Sequence, residues 1–171
     1  MNRGLMANKK RNFIIAVAIP VLILLGMMIK PAATVVYGQE ILLETKAVDP
    51  TDLFRGDYVY LNFKIADVPK SKVSVPVDQE DVYVSLKPEG KYYVVDSVSL
   101  DEPEQGIYLK GRVYGLDPGS EVYYVDYSLD KYFVEQGTGK DLETGSQRGK
   151  LVGTVKVLNG YGVLTEVVEG E

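Results

Sequence analysis

The first apolar stretch of the chain is one continuous run, whereas later apolar residues alternate with polar ones. Residues Phe13 to Ile29, FIIAVAIPVLILLGMMI, carry no charge over 17 positions. At 1.5 Å per residue such a run is just long enough to cross a thin bilayer core, since Arg11 and Lys30 can extend toward the interfaces. Pro20 inside the run is tolerated in lipid. The pattern predicts a transmembrane helix over residues 13–29 behind a basic N-terminus at 1–12.

The charges beside this run predict its orientation. Lys9, Lys10 and Arg11 precede it, and the segment that follows is nearly neutral. By the positive-inside rule the N-terminus is cytoplasmic and residues 31 onward are outside. Two alternatives stay open. A cleaved signal peptide would have a shorter apolar run, and residues 32–37 offer it a poor cleavage site. The run could also be a buried core helix. With no Cys after it, a lipoprotein anchor is excluded.

Beyond a short linker at 30–37, the apolar residues of 38–171 recur with period two. Val59, Leu61, Phe63 and Ile65, for example, share one face of a predicted strand. The other predicted strands are 40–48, 81–87, 91–98, 106–115, 121–129, 150–158 and 161–168. Turn signals separate several of them: PEG at 88–90, LDPGS at 116–120 and, the strongest, Asn159-Gly160. We therefore predict an all-β, antiparallel domain of about eight strands, either a sandwich or barrel-like. Two long interruptions, 67–80 and 128–149, break the alternation, and the second predicts a short helical piece near 139–144.

The composition excludes most cofactor chemistry. The chain has no Cys and no His, which removes the usual zinc sites, His or Cys haem ligation, Cys nucleophiles, imidazole-based triads and disulfides. We predict no cofactor. Residues 31–171 contain 14 basic and 24 acidic residues, a net charge of −10, so nucleic acid would be repelled. The segment GTGK at 137–140 lacks the first Gly and the final Ser or Thr of a phosphate loop, so we expect no nucleotide.

The segment VDPTDLFRGDYV predicts a strand, a turn and a second strand. Thr51 can cap one helical turn, Gly56 can supply the positive φ that closes it, and the Asp57 carboxylate can accept backbone N–H groups. On this interpretation Arg55, Gly56 and Asp57 form a corner that sets the register of the next strand. The alternative is that Arg55 and Asp57 line a surface site.

Two segments resemble a known family. GDYVYLNF, Gly56 to Phe63, looks like the motif that names the GDYXXLXY family of membrane-anchored bacterial proteins, and VDPTDLFRGDY introduces it as in that family. YSLDKYFVEQGTGKDLE, residues 127–143, resembles a second recurrent block. The positions that match are Gly56, Asp57, Tyr58, Leu61, Tyr132, Phe133 and Gly137. Phe63 departs from the motif, whose last residue is Tyr. The resemblance implies an extracytoplasmic β domain behind a membrane helix, and it supplies no activity.

Several chemistries can be weighed against simple structural roles. A Ser-Lys protease would need a Ser soon after the membrane helix, but the first Ser of the chain is Ser71. Carboxylates at 100–106, and at 135, 141 and 143, could serve a glycosidase, and Asp101, Glu102 and Glu104 could form a weak Ca²⁺ site, although solvated loop acids explain them better. The repeated tyrosines could form a ligand platform, but alternation turns about half of them inward. They are Tyr92, Tyr93, Tyr108, Tyr114, Tyr123, Tyr124, Tyr127 and Tyr132.

These observations favour a binding module of the cell envelope with no evident catalysis. The bilayer is its first partner, through Phe13 to Ile29, and another membrane or envelope protein is a possible second one. If the two family blocks meet in space, Arg55, Tyr58, Tyr132 and Glu135 are the candidate binding residues, with no metal. The alternative is a hydrolase of envelope polymer that uses loop carboxylates. A shallow aromatic surface or an exposed sheet edge would favour the module, and a deep pocket with two opposed acids the enzyme.

Overall fold

The N-terminal part of the molecule is one long helix. The computed structural model describes residues 3–47, 58–73, 79–114, 120–133, 145–146 and 148–170. Helix α1 spans Arg3–Tyr37, and its Asn12–Tyr37 portion, 26 residues, is long and apolar enough to cross a membrane. The side chains of that portion are mostly exposed. Residues 30–37, predicted as a linker, form the last turns of this helix despite Pro31.

The rest of the described chain is mostly β, which confirms the predicted fold class. Its described residues form eleven strands, of which the longer ones match the predicted set. They are β1 Gln39–Lys46, β2 Tyr58–Tyr60, β3 Asn62–Phe63, β4 Asp67–Pro69, β5 Asp81–Glu89, β6 Tyr92–Ser99, β7 Ile107–Tyr114, β8 Val122–Asp126, β9 Lys131–Phe133, β10 Leu151–Leu158 and β11 Tyr161–Glu169.

The strands form antiparallel sheets in a barrel-like arrangement. A four-stranded sheet has the order β11-β10-β1-β3, a five-stranded sheet has the order β4-β8-β7-β5-β6, and β2 pairs with β9. The two large sheets meet where the Lys110 N–H donates to the Gly160 carbonyl, 2.8 Å away. The apolar residues that alternate along the strands face each other inside and form the core, as the period of two predicts.

The segment predicted as one strand from 57 to 65 divides between two ladders. Val59, Leu61, Phe63 and Ile65 are all buried, as predicted. However, Tyr58–Tyr60 pair with β9, whereas Asn62–Phe63 pair with the end of β1. A 3₁₀ turn at Lys64–Ala66 then ends the strand. The chain keeps its inward face while it exchanges one partner strand for another.

The Asn159-Gly160 turn is the predicted hairpin. Asn159 has φ +48° and Gly160 has φ +73°, the pair of positive values that a type I′ turn requires. It joins β10 to β11. The predicted turn at 88–90 lies slightly later, because β5 continues through Glu89 and Gly90 takes φ +63°. The predicted corner at 51–57, the turn at 116–120 and the helical piece at 139–144 fall outside the described residues, apart from Ser120.

The side chain of Thr45 extends the pairing of β1 with β10 by one residue, to Leu151 at the start of β10. Its hydroxyl donates to the Leu151 carbonyl at 2.9 Å and accepts from the Leu151 N–H at 3.1 Å. The Thr45 residue is 1% exposed, so both backbone groups of Leu151 obtain their partner inside the protein. The Thr45 hydroxyl thus replaces the two hydrogen bonds that a backbone partner would make with Leu151.

Candidate functional site

The two family-like blocks meet in the β2–β9 ladder. Tyr58 pairs with Phe133, Val59 with Tyr132, and Tyr60 with Lys131, in antiparallel register. The Leu61 N–H extends this contact by donating to the Asp130 carbonyl at 2.8 Å. The first and second blocks are therefore neighbours in space, although about 70 residues separate them in the chain.

The described side chains of these blocks lie largely in the core. Leu61 and Phe63 are each 4% exposed, and Tyr132 is partly buried against the core cluster. Phe133, in contrast, is 74% exposed. The predicted site residues Arg55, Gly56, Asp57, Glu135 and Gly137 lie outside the described residues, as does the side chain of Tyr58. The described part of the motif therefore has a packing role at Leu61, Phe63 and Tyr132.

Phe63 of β3 packs over Gly153 of β10, which lies two strands away in the same four-stranded sheet. A Cβ built on Gly153 would stand 2.7 Å from Cε1 and 2.8 Å from Cζ of Phe63. Those distances are well inside an ordinary carbon–carbon contact of about 3.5–4.0 Å. The aromatic ring that ends the motif thus fits β10 because position 153 carries no side chain.

The outer face of the five-stranded sheet presents aromatic and charged side chains in rows. Tyr114 of β7 pairs directly with Tyr124 of β8, and they are 49% and 42% exposed. Their chain neighbours Val113 and Val125 are 1% exposed, so alternation turns the tyrosines outward. Side chains paired in this way on one face have Cβ atoms about 4.5–5.5 Å apart. The two rings therefore form a small exposed aromatic patch.

A charged row lies beside the aromatic patch. Across three strands the register aligns Asp126, Arg112 and Asp81. Asp81 accepts from Arg112 Nε at 2.9 Å and forms an ion pair with Lys110 Nζ at 3.1 Å. The hydrogen bonds from Lys110 and then Arg112 lower the pKa of Asp81, so this carboxyl is ionised at neutral pH.

An open cleft of about 290 Å³ runs along this row. On the β8 side the Asp126 carboxylate accepts the Ser128 N–H at 2.6 Å, which stabilises the positive φ of Ser128. The cleft is lined by Asp81, Lys110, Gly111, Arg112, Tyr114, Asp126, Tyr127 and Ser128. Two fixed cations, two carboxylates and an adjoining aromatic patch suit recognition of a polar surface that itself carries both charges. We refer to the patch and the row together as the outer site.

The sequence alone pointed to only part of the outer site. Tyr114 and Tyr124 were among the candidate platform tyrosines, but their pairing depends on a register that one sequence does not fix. Asp81, Lys110 and Arg112 were not singled out, because alternating charges on a solvent face are common in strands. The sequence feature that could have identified them is that Lys110, Arg112 and Asp81 all fall on outward-facing positions of two predicted strands.

Other predicted residues have local partners. Tyr108 donates its hydroxyl to Glu102 of the loop at 100–106, and this bond, with burial, raises the pKa of Tyr108 to about 12. Tyr127 donates to the Ile65 carbonyl at 2.9 Å, and burial raises its pKa. Within the described residues no group of three or more carboxylates comes together as a metal site. Glu102 of the considered Ca²⁺ cluster is engaged by Tyr108 instead.

The fold defines the class as a mostly β domain that follows one apolar helix. The family model described as GDYXXLXY protein matches residues 20–167. Since that match covers most of the chain, the protein belongs to the GDYXXLXY family, as its motif residues suggested. No curated protein and no solved structure matches it significantly.

Proposed function

We propose that this protein is a single-pass, membrane-anchored binding module whose β domain lies outside the cytoplasm. The apolar portion of α1 supports the anchor, and the basic residues at 9–11 support a cytoplasmic N-terminus. The outer site is the single observation that carries the binding role, because it combines an exposed aromatic pair with fixed charges of both signs. Its partner is a membrane or envelope protein with a complementary mixed surface.

The outer site favours binding over the alternative hydrolase. A glycosidase needs one carboxylic acid that stays protonated near neutral pH and a second carboxylate across a cleft. Within the outer site, Lys110 and Arg112 lower the pKa of Asp81, which is the wrong direction for a general acid. Of the loop carboxylates considered for a hydrolase, Glu102 accepts the Tyr108 hydroxyl. The 290 Å³ cleft is also open rather than deep. Ion pairs of this kind fix orientation and partner choice, which suits a docking surface.

Site-specific photocrosslinking in living cells tests the proposal. A benzoylphenylalanine at position 124 places the probe in the outer site, and the same probe at position 168 of β11 is the control. The native side chains there are 42% and 43% exposed, so the two probes have matched access to solvent. We expect a discrete crosslinked protein with position 124 that is absent with position 168.

A second variant distinguishes docking from chance encounter. Arg112→Gln removes the cation that aligns with Asp81 and Asp126 while keeping a long polar side chain on the exposed face. We expect it to weaken the crosslink at position 124 without lowering the amount of protein in the membrane. Equal crosslinking at 124 and 168, or none at either, would contradict the proposed binding role of this face.

A further inference from the structure

The helix and the β domain are joined without a flexible spacer. The helix ends at Tyr37, and β1 begins at Gln39. Between them, the Gly38 N–H donates to the Thr34 carbonyl at 2.8 Å. A Cβ on Gly38 would lie 2.3 Å from that carbonyl oxygen and 3.1 Å from the Val157 nitrogen. The chain thus passes from helix to strand through a position that only glycine fits.

The last turns of the helix pack against the β10–β11 hairpin. Thr34 is fully buried in the part of the helix that contacts β10 and β11, whereas most described side chains of the helix are exposed. Its hydroxyl donates to the Lys30 carbonyl at 3.0 Å. The Lys30 ammonium lies 4.6 Å from the centre of the Tyr161 ring, within cation–π range. Seven residues separate Lys30 from Tyr37, or about 10 Å of helix. The hairpin tip therefore reaches back along the helix toward its apolar segment.

The depth of the hairpin tip follows from the length of the helix, and here the argument rests on the membrane anchor proposed above. The uncharged run Phe13 to Ile29 has 17 residues and measures about 26 Å, close to the hydrocarbon thickness of about 30 Å. The uncharged run ends at Ile29, so Lys30 marks the edge of the hydrocarbon. Because the Tyr161 ring contacts the Lys30 ammonium, the ring lies at the same depth in the bilayer as that ammonium.

We infer that the hairpin tip, Asn159–Tyr161, is seated in the phospholipid headgroup layer beside the helix end. We call this tip, together with Tyr37, the proximal surface. The β domain then rests on the bilayer instead of standing away from it on a stalk. A partner of the outer site would have to reach it close to the membrane.

The chemistry of the proximal surface fits a headgroup layer. Tyr37 and Tyr161 are residues that concentrate at membrane interfaces, where an apolar ring ends in a polar group. Val35 and Val36 are 46% and 68% exposed and extend the apolar face of the helix past Lys30. A cleft of about 270 Å³ opens between Tyr37 and the hairpin tip, and none of the described residues that line it carries a charged side chain. The residues of the proximal surface are therefore neutral, although residues 31–171 carry a net charge of −10.

Tryptophan fluorescence measures this depth directly, because the chain has no Trp of its own. The full chain is reconstituted in phosphatidylcholine vesicles as single-Trp variants. Tyr161→Trp reports on the hairpin tip, Tyr37→Trp on the helix end, and Tyr124→Trp on the outer site as control. Leu22→Trp, in the middle of the apolar run, reports whether the helix is inserted.

We expect nitroxide-labelled headgroups to quench Tyr161→Trp and Tyr37→Trp and to leave Tyr124→Trp unchanged. Aqueous iodide should do the reverse. Tyr37 is 77% exposed, so its variant keeps the test valid if Tyr161→Trp alters the hairpin. If acyl-chain bromine quenches Leu22→Trp while both proximal reporters behave like Tyr124→Trp, the inference is wrong and the anchor stands. If Leu22→Trp is instead open to iodide, the anchor itself is wrong.

Discussion

The contact between Phe63 and Gly153 yields the sharpest stability prediction. Gly153→Ala would place a methyl carbon 2.7 Å from Cε1 of Phe63 and 3.0 Å from Cδ1 of Leu164. Because carbon atoms pack at about 3.5–4.0 Å, the ring must move by roughly 1 Å within a buried layer. Overpacking of this kind costs about 1–3 kcal/mol, and the restricted unfolded chain returns about 0.4–1 kcal/mol. We therefore expect the free energy of unfolding to fall by up to about 2.6 kcal/mol.

A double-mutant cycle identifies the cause of that loss. Phe63→Leu removes the ring atoms that meet the new methyl, and alone it should cost about 1–3 kcal/mol. In the double variant the smaller Leu side chain leaves space for the methyl group added at position 153. Its loss in the free energy of unfolding should therefore be smaller than the sum of the two single losses by about 1 kcal/mol or more. Phe63→Leu with Val168→Ala, a 43% exposed residue of β11, is the additive control.

The assay is urea unfolding of the full chain in detergent micelles, followed by the near-ultraviolet circular dichroism of its 13 tyrosines. That signal reports tertiary packing in the β domain, whereas the helix carries a single tyrosine at its end. If the losses of Gly153→Ala and Phe63→Leu add up to the loss of the double variant within about 0.5 kcal/mol, the proposed packing of Phe63 against Gly153 is wrong.

Three further changes test other parts of the structure. Thr45→Val should lower the free energy of unfolding by about 2–4 kcal/mol, because it removes the hydroxyl that pairs with both backbone groups of Leu151. The control is Thr165→Val, at an exposed position whose hydroxyl donates to one backbone carbonyl, and it should cost less than about 1 kcal/mol in the same urea assay. Tyr108 has its pKa raised to about 12, so the folded state holds a proton that the unfolded state releases above pH 10. Its contribution to stability is present below pH 10 and falls toward pH 12; Tyr108→Phe should flatten that part of a stability–pH curve. Asp81 has a lowered pKa, so its contribution is present above about pH 4 and disappears as the pH falls further. Asp81→Asn should reduce the loss of stability below about pH 4. If the stability–pH curve below about pH 4 is unchanged, the ion pairs of Asp81 contribute nothing measurable to stability.

The sequence predicted the elements whose signals are local. The alternation of Val59, Leu61, Phe63 and Ile65 identified an inward face, and it remains inward although the strand divides. Asn159-Gly160 predicted its hairpin because a type I′ turn needs two positive φ values, which those residues tolerate. The apolar run likewise predicted a helix long enough to cross a membrane.

Long-range pairing accounts for what the sequence did not predict. Strand β9 is three residues long and exists through its pairing with β2, which no local pattern encodes. The row of Asp81, Arg112 and Asp126 depends on the register of three strands. The helical state of residues 30–37 was not predicted, because the uncharged apolar run ends at Ile29. The structure continues the helix to Tyr37, with Thr34 buried where the helix contacts β10 and β11.

The proposed function requires that the helix cross the membrane once and leave the β domain outside. The chain has no Cys, so one engineered thiol gives an unambiguous label. Ser97→Cys lies on an exposed position of β6, and Asn8→Cys lies before the apolar run. With a membrane-impermeant maleimide, we expect labelling of Ser97→Cys in intact cells and of Asn8→Cys only after permeabilisation. Labelling of Asn8→Cys in intact cells, with Ser97→Cys protected, would contradict it.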